Sequence, residues 1–214
     1  MRPGTHWRPA QGEPTVTVLL RHGQTPMSVQ KRYAGRTDVP LTDVGVQQAA
    51  AAAKRLASAG LGAIVTSPLL RTVQTAQAVA AVTGVPVVTD DGFRETDFGA
   101  WEGLTFTEVR ERWPAEVTAW LADPEVAPPG GESFTDVSAR VTAALDRVLT
   151  TQDGRTVLIV SHVTPIKMLI AAALLAPASA LYRMHLDVAA LCEIDWYADG
   201  PAVLRSFNDT GHLS

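Results

Sequence analysis

The stretch Thr-Val-Thr-Val-Leu-Leu-Arg-His-Gly-Gln-Thr, residues 15–25, decides how the rest of the chain is interpreted. Its first half is an alternating β-branched and apolar run, which predicts a strand over Thr15–Leu20. The strand leads directly into Arg21, His22 and Gly23. In an open α/β sheet, ligands bind just beyond the carboxyl ends of the strands. The stretch therefore indicates a site in which a fixed positive charge lies beside a histidine that titrates near neutral pH.

Each of these three residues has a property that suits a binding or catalytic site. Arg21 carries a planar fork of donors for phosphate oxygens, and His22 can act as base, acid or nucleophile. Gly23 has no Cβ, which lets the backbone approach a bound molecule. A lone arginine–histidine pair is more often an ordinary surface pair. However, a second apolar strand, Thr156–Ser161, also ends in a histidine, His162. Two strands that both end in histidine indicate a shared site.

The composition is that of a globular protein. Of its 214 residues, 46% are hydrophobic and 19% are charged, and 18 basic against 22 acidic side chains give a net charge of −4. This balance argues against nonspecific nucleic-acid binding. The single cysteine, Cys192, and the lack of a signal peptide favour the cytoplasm. The longest apolar stretch, Ile166–Ala176, is too short to span a membrane.

Strand and helix signals alternate along the chain. This alternation predicts a three-layer α/β/α fold with a mostly parallel central sheet and antiparallel edge strands at the end of the chain. Thr42 and Ser67 are predicted helix caps, and Pro68 is predicted to be the first residue of its helix. The predicted strands cover residues 15–20, 63–66, 84–89, 156–161, 189–196 and 202–208, and the predicted helices cover 42–59, 67–83, 105–113, 116–122, 133–151 and 165–175.

Two segments depart from this alternation. Residues 90–133 are rich in glycine and proline and contain Trp101, Trp113 and Trp120. An insertion of helices and loops of this kind often covers an active site. For its tryptophans, core packing is favoured over stacking on a nucleoside-like leaving group. Residues 1–14 are predicted to be a flexible tail, interpreted as a linker remnant, before a single domain over residues 15–214.

Several motifs in chain order resemble the histidine phosphatase superfamily, also called phosphoglycerate-mutase-like. They are Arg21-His22-Gly23-Gln24-Thr25, Ser67-Pro68-Leu69-Leu70-Arg71-Thr72, Glu95 and Ser161-His162. The resemblance covers the chain from about residue 15 to its end. The stretch from Glu95 to Gly103 is most similar to α-ribazole phosphatases. It also resembles the acid phosphatase half of actinobacterial proteins in which a ribonuclease H domain comes first.

The resemblance implies a chemistry in two steps. His22 attacks phosphorus to form a phosphohistidine, which water then opens. Glu95 matches the acid/base position, where it gives a proton to the leaving group and takes one from the water. A surface charge cluster with Arg94 and Asp97 is the competing interpretation of Glu95. If Glu95 is not the acid, Asp97 or Glu102 is the next candidate.

The resemblance also assigns residues to the phosphate group. By family position, Arg21 and Arg71 bind phosphate oxygens through bidentate hydrogen bonds, and His162 adds a donor as the third catalytic residue. Many members have asparagine where this chain has Ser28, so Ser28 is a candidate phosphate ligand with a shorter reach. Since these groups supply the positive charge, no metal or other cofactor is expected.

The function predicted from these motifs is a metal-independent phosphomonoesterase acting on a small-molecule ester, α-ribazole 5'-phosphate or a related cobalamin precursor. Alternatives are phosphoglycerate mutase-type transfer, a broad-specificity acid or sugar-phosphate phosphatase, a silent scaffold, and a metal site built from His22, His162 and Glu95. The short chain and Gln24, where mutases carry glutamate, favour hydrolysis. Partners that the resemblance allows are a second copy, in a homodimer, and a fused ribonuclease H domain; nucleic acid and membranes are not expected to bind this domain.

Overall fold

The computed structural model describes residues 10–214 and has one six-stranded sheet between helices. The strands are β1 (Thr15–Arg21), β2 (Leu61–Thr66), β3 (Val87–Thr89), β4 (Thr156–Ser161), β5 (Leu191–Trp196) and β6 (Ala202–Asp209). The helices are α1 (Pro26–Val29), α2 (Asp43–Leu56), α3 (Leu70–Thr83), α4 (Phe106–Arg112), α5 (Pro114–Ala122), α6 (Phe134–Thr151) and α7 (Val163–Ala173). Short 3₁₀ turns cover Asp91–Phe93, Gly99–Trp101, Ala178–Arg183 and Gly211–Leu213.

The sheet has the order β3-β2-β4-β1-β5-β6. β1 pairs in parallel with β4, β4 with β2, and β2 with β3, whereas β5 is antiparallel to β1 and β6 is antiparallel to β5. The predicted mostly parallel sheet with antiparallel strands at one edge is therefore confirmed. In the pairing of β1 with β4, Arg21 lies opposite Ser161, so both strands end at the same level.

Apolar side chains alternate between the two faces of the central strands and build one core layer on each side. Leu19 and Ile159 lie in the layer beneath α6, α7 and the insertion. Leu20 and Leu158 lie in the layer beneath α2 and α3. The predicted three-layer α/β/α fold is thus confirmed.

The insertion packs through its aromatic side chains, as the sequence favoured. Trp101 is fully buried and lies edge-to-face with Trp120, with ring centroids 5.4 Å apart. Tyr33, from the loop after α1, stacks at an angle on Phe98, with ring centroids 4.5 Å apart. The predicted boundaries here are close to the observed ones, except that α5 begins earlier, at Pro114, a position where proline is well tolerated.

Two further helix starts differ from the prediction, and both differences concern the site. α3 begins at Leu70 with Leu69 as its cap, so the predicted cap Ser67 and the predicted first residue Pro68 both precede the helix, and the Ser67 hydroxyl lies 2.8 Å from the His162 ring. α7 begins at Val163, so His162 itself is the residue that precedes the helix. Pro165 falls within the first turn, where its missing N–H costs no helical hydrogen bond.

The ends of the chain add two observations. Of the predicted tail, residues 1–9 lie outside the described residues and residues 10–14 form neither helix nor strand. The linker interpretation of the tail stays a prediction. Within residues 10–214, no helix is both long enough and apolar enough to cross a membrane.

Two glycines let the loop after β1 lie against the first turn of α2. A Cβ at Gly23 would come to 2.5 Å from the carbonyl oxygen of Gly45, and a Cβ at Gly45 would overlap the carbonyl oxygen of Gln24. The sequence interpretation gave Gly23 the task of letting the backbone approach a bound molecule. In the structure, the close approach at Gly23 is to α2.

We therefore expect Gly45→Ala to destabilise the protein. At an open helical position, glycine to alanine stabilises by roughly 0.5–1 kcal/mol. Here the added methyl group overlaps main-chain atoms, and overpacking typically costs about 1–3 kcal/mol. Urea unfolding measures the change, with Val46→Ala at the exposed neighbouring position as the control. A more stable Gly45→Ala protein would show that the two segments are not in contact.

Candidate active site

His22 and His162 meet at the ends of two neighbouring parallel strands. Because Arg21 lies opposite Ser161, the next residue on each strand is a histidine. The His22 amide donates to the carbonyl of Ser161 over 3.0 Å, and the two rings lie edge-to-face with centroids 5.2 Å apart. Both side chains are buried. The structure thus brings together the two histidines that the strand pattern predicted to share a site.

The His22 ring is held in one tautomer. Its Nδ1 lies 2.8 Å from the carbonyl oxygen of Gly23, and a carbonyl oxygen only accepts hydrogen bonds. Nδ1 must therefore carry the proton, which leaves a lone pair on Nε2. Burial, followed by the charges of Arg21 and Arg71, holds the pKa of His22 well below its ordinary value. The ring is neutral at pH 7, the form in which an imidazole can act as a nucleophile.

His162 is held by a side chain at the end of the neighbouring strand. Its Nε2 lies 2.8 Å from the hydroxyl of Ser67, at the end of β2. Burial, followed by the positive charge of Arg71, holds the pKa of His162 well below its ordinary value. Its Nδ1 is buried and has no hydrogen-bond partner within residues 10–214. Buried ring nitrogens are usually paired, which makes this atom a candidate partner for a bound molecule. His162 is not among the residues that line the cavity described below, so this role stays a prediction.

Arg21 lies at the cavity with one part of its fork engaged. Its Nη1 donates to the carbonyl of Leu186 over 2.6 Å, and its buried Nε has no partner in the described chain. Burial lowers the pKa of Arg21 to about 10, so the guanidinium remains charged at neutral pH. Arg21 therefore brings a fixed positive charge to the side of His22, as the sequence predicted.

Arg71 is placed differently from the expectation. Its side chain is fully buried, and its two terminal nitrogens donate to the carbonyls of Ala34, Gly35 and Thr37 over 2.7–3.0 Å. The terminal nitrogens that were predicted to bind phosphate are thus occupied by main-chain oxygens. Only Nε of this guanidinium lacks a partner among the described residues. Its charge still reaches His22, whose pKa it helps to lower. The contact of Arg71 with phosphate stays a prediction.

Glu102 holds the loop on which Arg71 rests. Its carboxylate accepts hydrogen bonds from the amides of Gly35, Arg36 and Thr37 over 3.0–3.4 Å and from the Thr37 hydroxyl over 2.8 Å. The loop is therefore fixed by Glu102 through its amides and by Arg71 through its carbonyls. Sequence reasoning missed this role, although Glu102 lies within one of the family-like motifs.

Glu95 turns into the cavity and away from its charged neighbours in sequence. Arg94 pairs with Asp91 over 3.0 Å, and Asp97 pairs with Arg36 over 2.6 Å. The Glu95 side chain is buried and lines the same cavity as His22, whereas neither Asp97 nor Glu102 lines that cavity. The geometry does not support the surface-cluster interpretation. Of the three candidate carboxyls, Glu95 is the one that lines the cavity beside His22.

The carboxylate of Glu95 makes two contacts with backbone amides. One oxygen accepts from Thr96 over 2.8 Å, and the other lies 3.5 Å from the amide of Thr164 in the first turn of α7. Negative groups are favoured at the start of a helix, where amides point outward. The second contact is long, so the direction of the carboxylate depends strongly on where the backbone of Glu95 lies.

Ser28 lines the cavity but uses its hydroxyl locally. The oxygen accepts from the amide of Thr25 over 2.9 Å, and the hydroxyl lies 2.8 Å from the carbonyl oxygen of Thr25, to which it donates. These contacts form part of a capping box at the start of α1. To bind phosphate, the hydroxyl would have to leave this arrangement. The role of Ser28 as a phosphate ligand therefore stays a prediction.

The site opens into a cavity of about 420 Å³. Its charged end is formed by three side chains: Arg21, His22 and Glu95. Its remaining wall is mostly apolar and aromatic, and includes Tyr33, Phe98, Phe106, Trp120, Leu121, Phe134, Leu181 and Tyr182. Within residues 10–214, no group of three or more histidine, cysteine, aspartate or glutamate side chains is arranged to hold a metal ion.

Two curated relatives align over nearly the whole chain. The bifunctional protein Rv2228c of Mycobacterium tuberculosis is 51% identical over 208 residues, which are 97% of this chain and 57% of that protein. The chain thus spans little more than half of that relative's length. A probable phosphoglycerate mutase of Yersinia pestis, GpmB, is 35% identical over 203 residues, which are 91% of this chain and 93% of that protein.

Solved structures of similar proteins also align over most of the chain. The mycobacterial glucosyl-3-phosphoglycerate phosphatase Rv2419c, in a complex with VO3, aligns with a TM-score of 0.84 and 32% identity, and covers 92% of this chain and 100% of that one. α-Ribazole phosphatases, one of them described as putative, also lie among the similar structures. Residues 17–210 match the histidine phosphatase superfamily, branch 1. The chain therefore belongs to the histidine phosphatase superfamily.

Proposed function

We propose that this chain is a metal-independent phosphomonoesterase that acts through a phosphohistidine at His22. The observation that carries the proposal is the state of the His22 ring, which is neutral and holds its proton on Nδ1 against Gly23. Nε2, which carries the free lone pair, belongs to a ring that lines the charged end of the cavity. A neutral imidazole with one nitrogen fixed and the other free is the form required for attack on phosphorus.

The first step forms a bond from Nε2 of His22 to phosphorus and breaks the bond from phosphorus to the ester oxygen. Protonated Glu95 gives its proton to the departing oxygen, so the alcohol leaves neutral. Arg21, Arg71 and His162 stabilise the charge on the nonbridging oxygens. In the second step, Glu95 takes a proton from water, the water oxygen bonds to phosphorus, and the bond to Nε2 breaks.

The apolar wall supports an uncharged leaving group. Beyond Arg21, the described cavity wall contains one further cation, Arg32, whose Nη1 lies 2.9 Å from the carboxylate of Glu108 and 2.7 Å from the carbonyl oxygen of Gly103. No spare positive charge is left there for a second anionic group on the substrate. Burying an unpaired carboxylate or phosphate would be costly. This favours α-ribazole 5'-phosphate or a related cobalamin precursor, or broad hydrolysis of apolar esters, over phosphoglycerate mutase-type transfer.

We also infer that the chain is the phosphatase part of a longer polypeptide whose other part is a ribonuclease H domain. The support is the bifunctional relative, of which the chain spans 57%. A homodimer and a cytoplasmic location stay predictions from the sequence.

We expect His22→Ala to retain no more than a few per cent of turnover. Brief reaction of the unaltered protein with labelled substrate, quenched in alkali, should trap an acid-labile, base-stable label that His22→Ala lacks. His185→Ala, at an exposed histidine, serves as the control and should label normally. Turnover should be unchanged in a chelator. Label remaining in His22→Ala would disprove the covalent step at this residue.

We expect Glu95→Gln to affect substrates according to their leaving groups. Benzyl phosphate releases an alkoxide that needs a proton, and loss of a general acid typically costs about 10²–10⁴-fold. The nitrophenolate of p-nitrophenyl phosphate leaves without a proton, so its phosphorylation step should slow by less than about tenfold. Single-turnover rates isolate this step, and Glu116→Gln on the exposed face of α5 is the control. Equal losses on the two substrates would remove Glu95 from the acid role.

We expect benzyl phosphate to exceed 3-phosphoglycerate in kcat/KM by at least about tenfold, since apolar contacts in a pocket discriminate by about 10–200-fold. Both compounds are esters of primary alcohols, so the bond that breaks is similar. Phe106→Ala, at the rim of the cavity, should lower the value for benzyl phosphate only. α-Ribazole 5'-phosphate, measured beside them, tests the narrower substrate. A preference for 3-phosphoglycerate would contradict the proposed leaving-group site.

A further inference from the structure

The segment that carries Glu95 has no strand or helix to hold its main chain. It lies between the 3₁₀ turns Asp91–Phe93 and Gly99–Trp101. Backbone carbonyls in such a segment still need donors when they are buried. The hydroxyl of Ser161, at the end of β4, donates to the carbonyl of Phe93 over 2.7 Å. The other carbonyls around Glu95 depend on a side chain from α6.

That side chain is Arg140, and its guanidinium makes five hydrogen bonds. Its Nη1 donates to the carbonyls of Gly92 and Arg94 over 2.9 and 2.8 Å. Its Nη2 donates to the carbonyl of Glu95 itself over 2.9 Å and to Glu132 over 3.0 Å. Its Nε donates to the other oxygen of Glu132 over 2.8 Å. Arg140 therefore holds the carbonyls of Gly92 and Arg94, which precede Glu95, and that of Glu95 itself, and Arg140 is in turn oriented by Glu132.

Glu132 completes the arrangement on the other side of Glu95. Its carboxylate accepts from the amide of Asp97 over 3.0 Å, and its own amide donates to the carbonyl of Asp97 over 2.9 Å. Burial alone would raise the pKa of Glu132. The hydrogen bonds from Arg140 and Asp97 together outweigh burial and hold the pKa of Glu132 below its ordinary value. Glu132 thus stays ionised at neutral pH beside Arg140, and the two side chains together hold the backbone on both sides of Glu95.

We propose that Arg140 and Glu132 form a positioning pair that aims the Glu95 carboxyl at the leaving-group oxygen. The proposal rests on the proposed function, in which Glu95 is the proton donor. The direct contacts of the Glu95 carboxylate are few, and its contact with Thr164 is long at 3.5 Å. The direction of the carboxyl is therefore set mainly by its backbone, which Arg140 and Glu132 hold.

Lysine at position 140 is the informative substitution. It keeps the positive charge of Arg140. This charge matters because it contributes to lowering the pKa of His162, although burial and other nearby groups lower that pKa more. However, an ammonium group cannot reproduce five donors in one plane. Arg140→Lys thus removes the geometry of the pair and retains its electrostatic effect. Glu132→Gln is the second variant, because it keeps the size of the side chain and removes its charge.

The control is on the same helix. Arg147 makes a similar bidentate pair with Asp90, with contacts of 2.8–3.2 Å, but its contacts do not include Glu95. Arg147→Lys therefore tests the loss of an α6 arginine pair that does not hold the acid. Near-ultraviolet circular dichroism at the assay temperature confirms that each variant is folded.

The experiment measures single-turnover phosphorylation by benzyl phosphate and by p-nitrophenyl phosphate. A misplacement of about 1 Å costs on the order of 10²-fold. We expect Arg140→Lys to slow benzyl phosphate by about 10- to 100-fold and p-nitrophenyl phosphate by less than about 3-fold, with a smaller selective loss in Glu132→Gln. Arg147→Lys should leave both rates within about 2-fold. If Arg140→Lys does not fold, Glu132→Gln decides the question.

Glu95→Gln, measured in parallel, separates failure of this proposal from failure of the proposed function. If Glu95→Gln is selective for benzyl phosphate and the pair variants slow both substrates equally, the pair has only a structural role and the proposal is wrong. Unchanged rates in both pair variants would also overturn it. If Glu95→Gln itself shows no selectivity, the acid role in the proposed function fails, and this proposal fails with it. When the selective loss is present, combining Arg140→Lys with Glu95→Gln should add almost nothing for benzyl phosphate.

Discussion

The parallel pairing of β1 with β4 is the constraint on which the site depends. It places a histidine at the same level after each strand and brings the two rings to 5.2 Å. A slip of one residue would turn every side chain of the slipped strand to the opposite face. Leu19 or Ile159 would then leave its apolar layer. Because burial of these side chains drives folding, the same contacts that stabilise the sheet also set the distance between the two histidine rings.

Burial then determines the charge of each group at the strand ends. Both histidines are held neutral by burial and by the nearby arginines. Burial lowers the pKa of both arginines, whereas nearby carboxylates raise it. Main-chain carbonyls accept from their guanidinium groups, that of Leu186 for Arg21 and three loop carbonyls for Arg71. These carbonyl dipoles hold both guanidinium groups in fixed positions.

Patterns that act over a few residues could be predicted from the sequence, and contacts between distant segments could not. β4 has the predicted bounds, Thr42 caps α2 as predicted, and α6 begins one residue after its predicted start at Ser133. By contrast, Ser67 reads locally as a helix cap, yet its hydroxyl contacts a histidine 95 residues later in the chain. The engaged fork of Arg71 and the contacts of Arg140 likewise depend on loops whose course no local pattern specifies. Motif resemblance identified which residues meet, but not which of their atoms are free.

The chemistry and the choice of leaving group come from different parts of the fold. In the proposed function, the groups around the phosphoryl group follow β1 and β4 or lie close to them, so the sheet determines their geometry. The apolar wall comes mainly from the insertion and from the turn Ala178–Arg183. The Tyr182 hydroxyl connects the turn to the insertion by donating to the carbonyl of Trp120 over 3.1 Å. Glu95 stands between these two parts, on a segment that belongs to neither the sheet nor a helix. In the proposed function, Glu95 has to reach the leaving-group oxygen, which a position between the sheet and the insertion allows. Because the main chain there lacks the hydrogen bonds of a strand or helix, its carbonyls need donors from side chains. This need is the physical reason for the five hydrogen bonds that Arg140 donates.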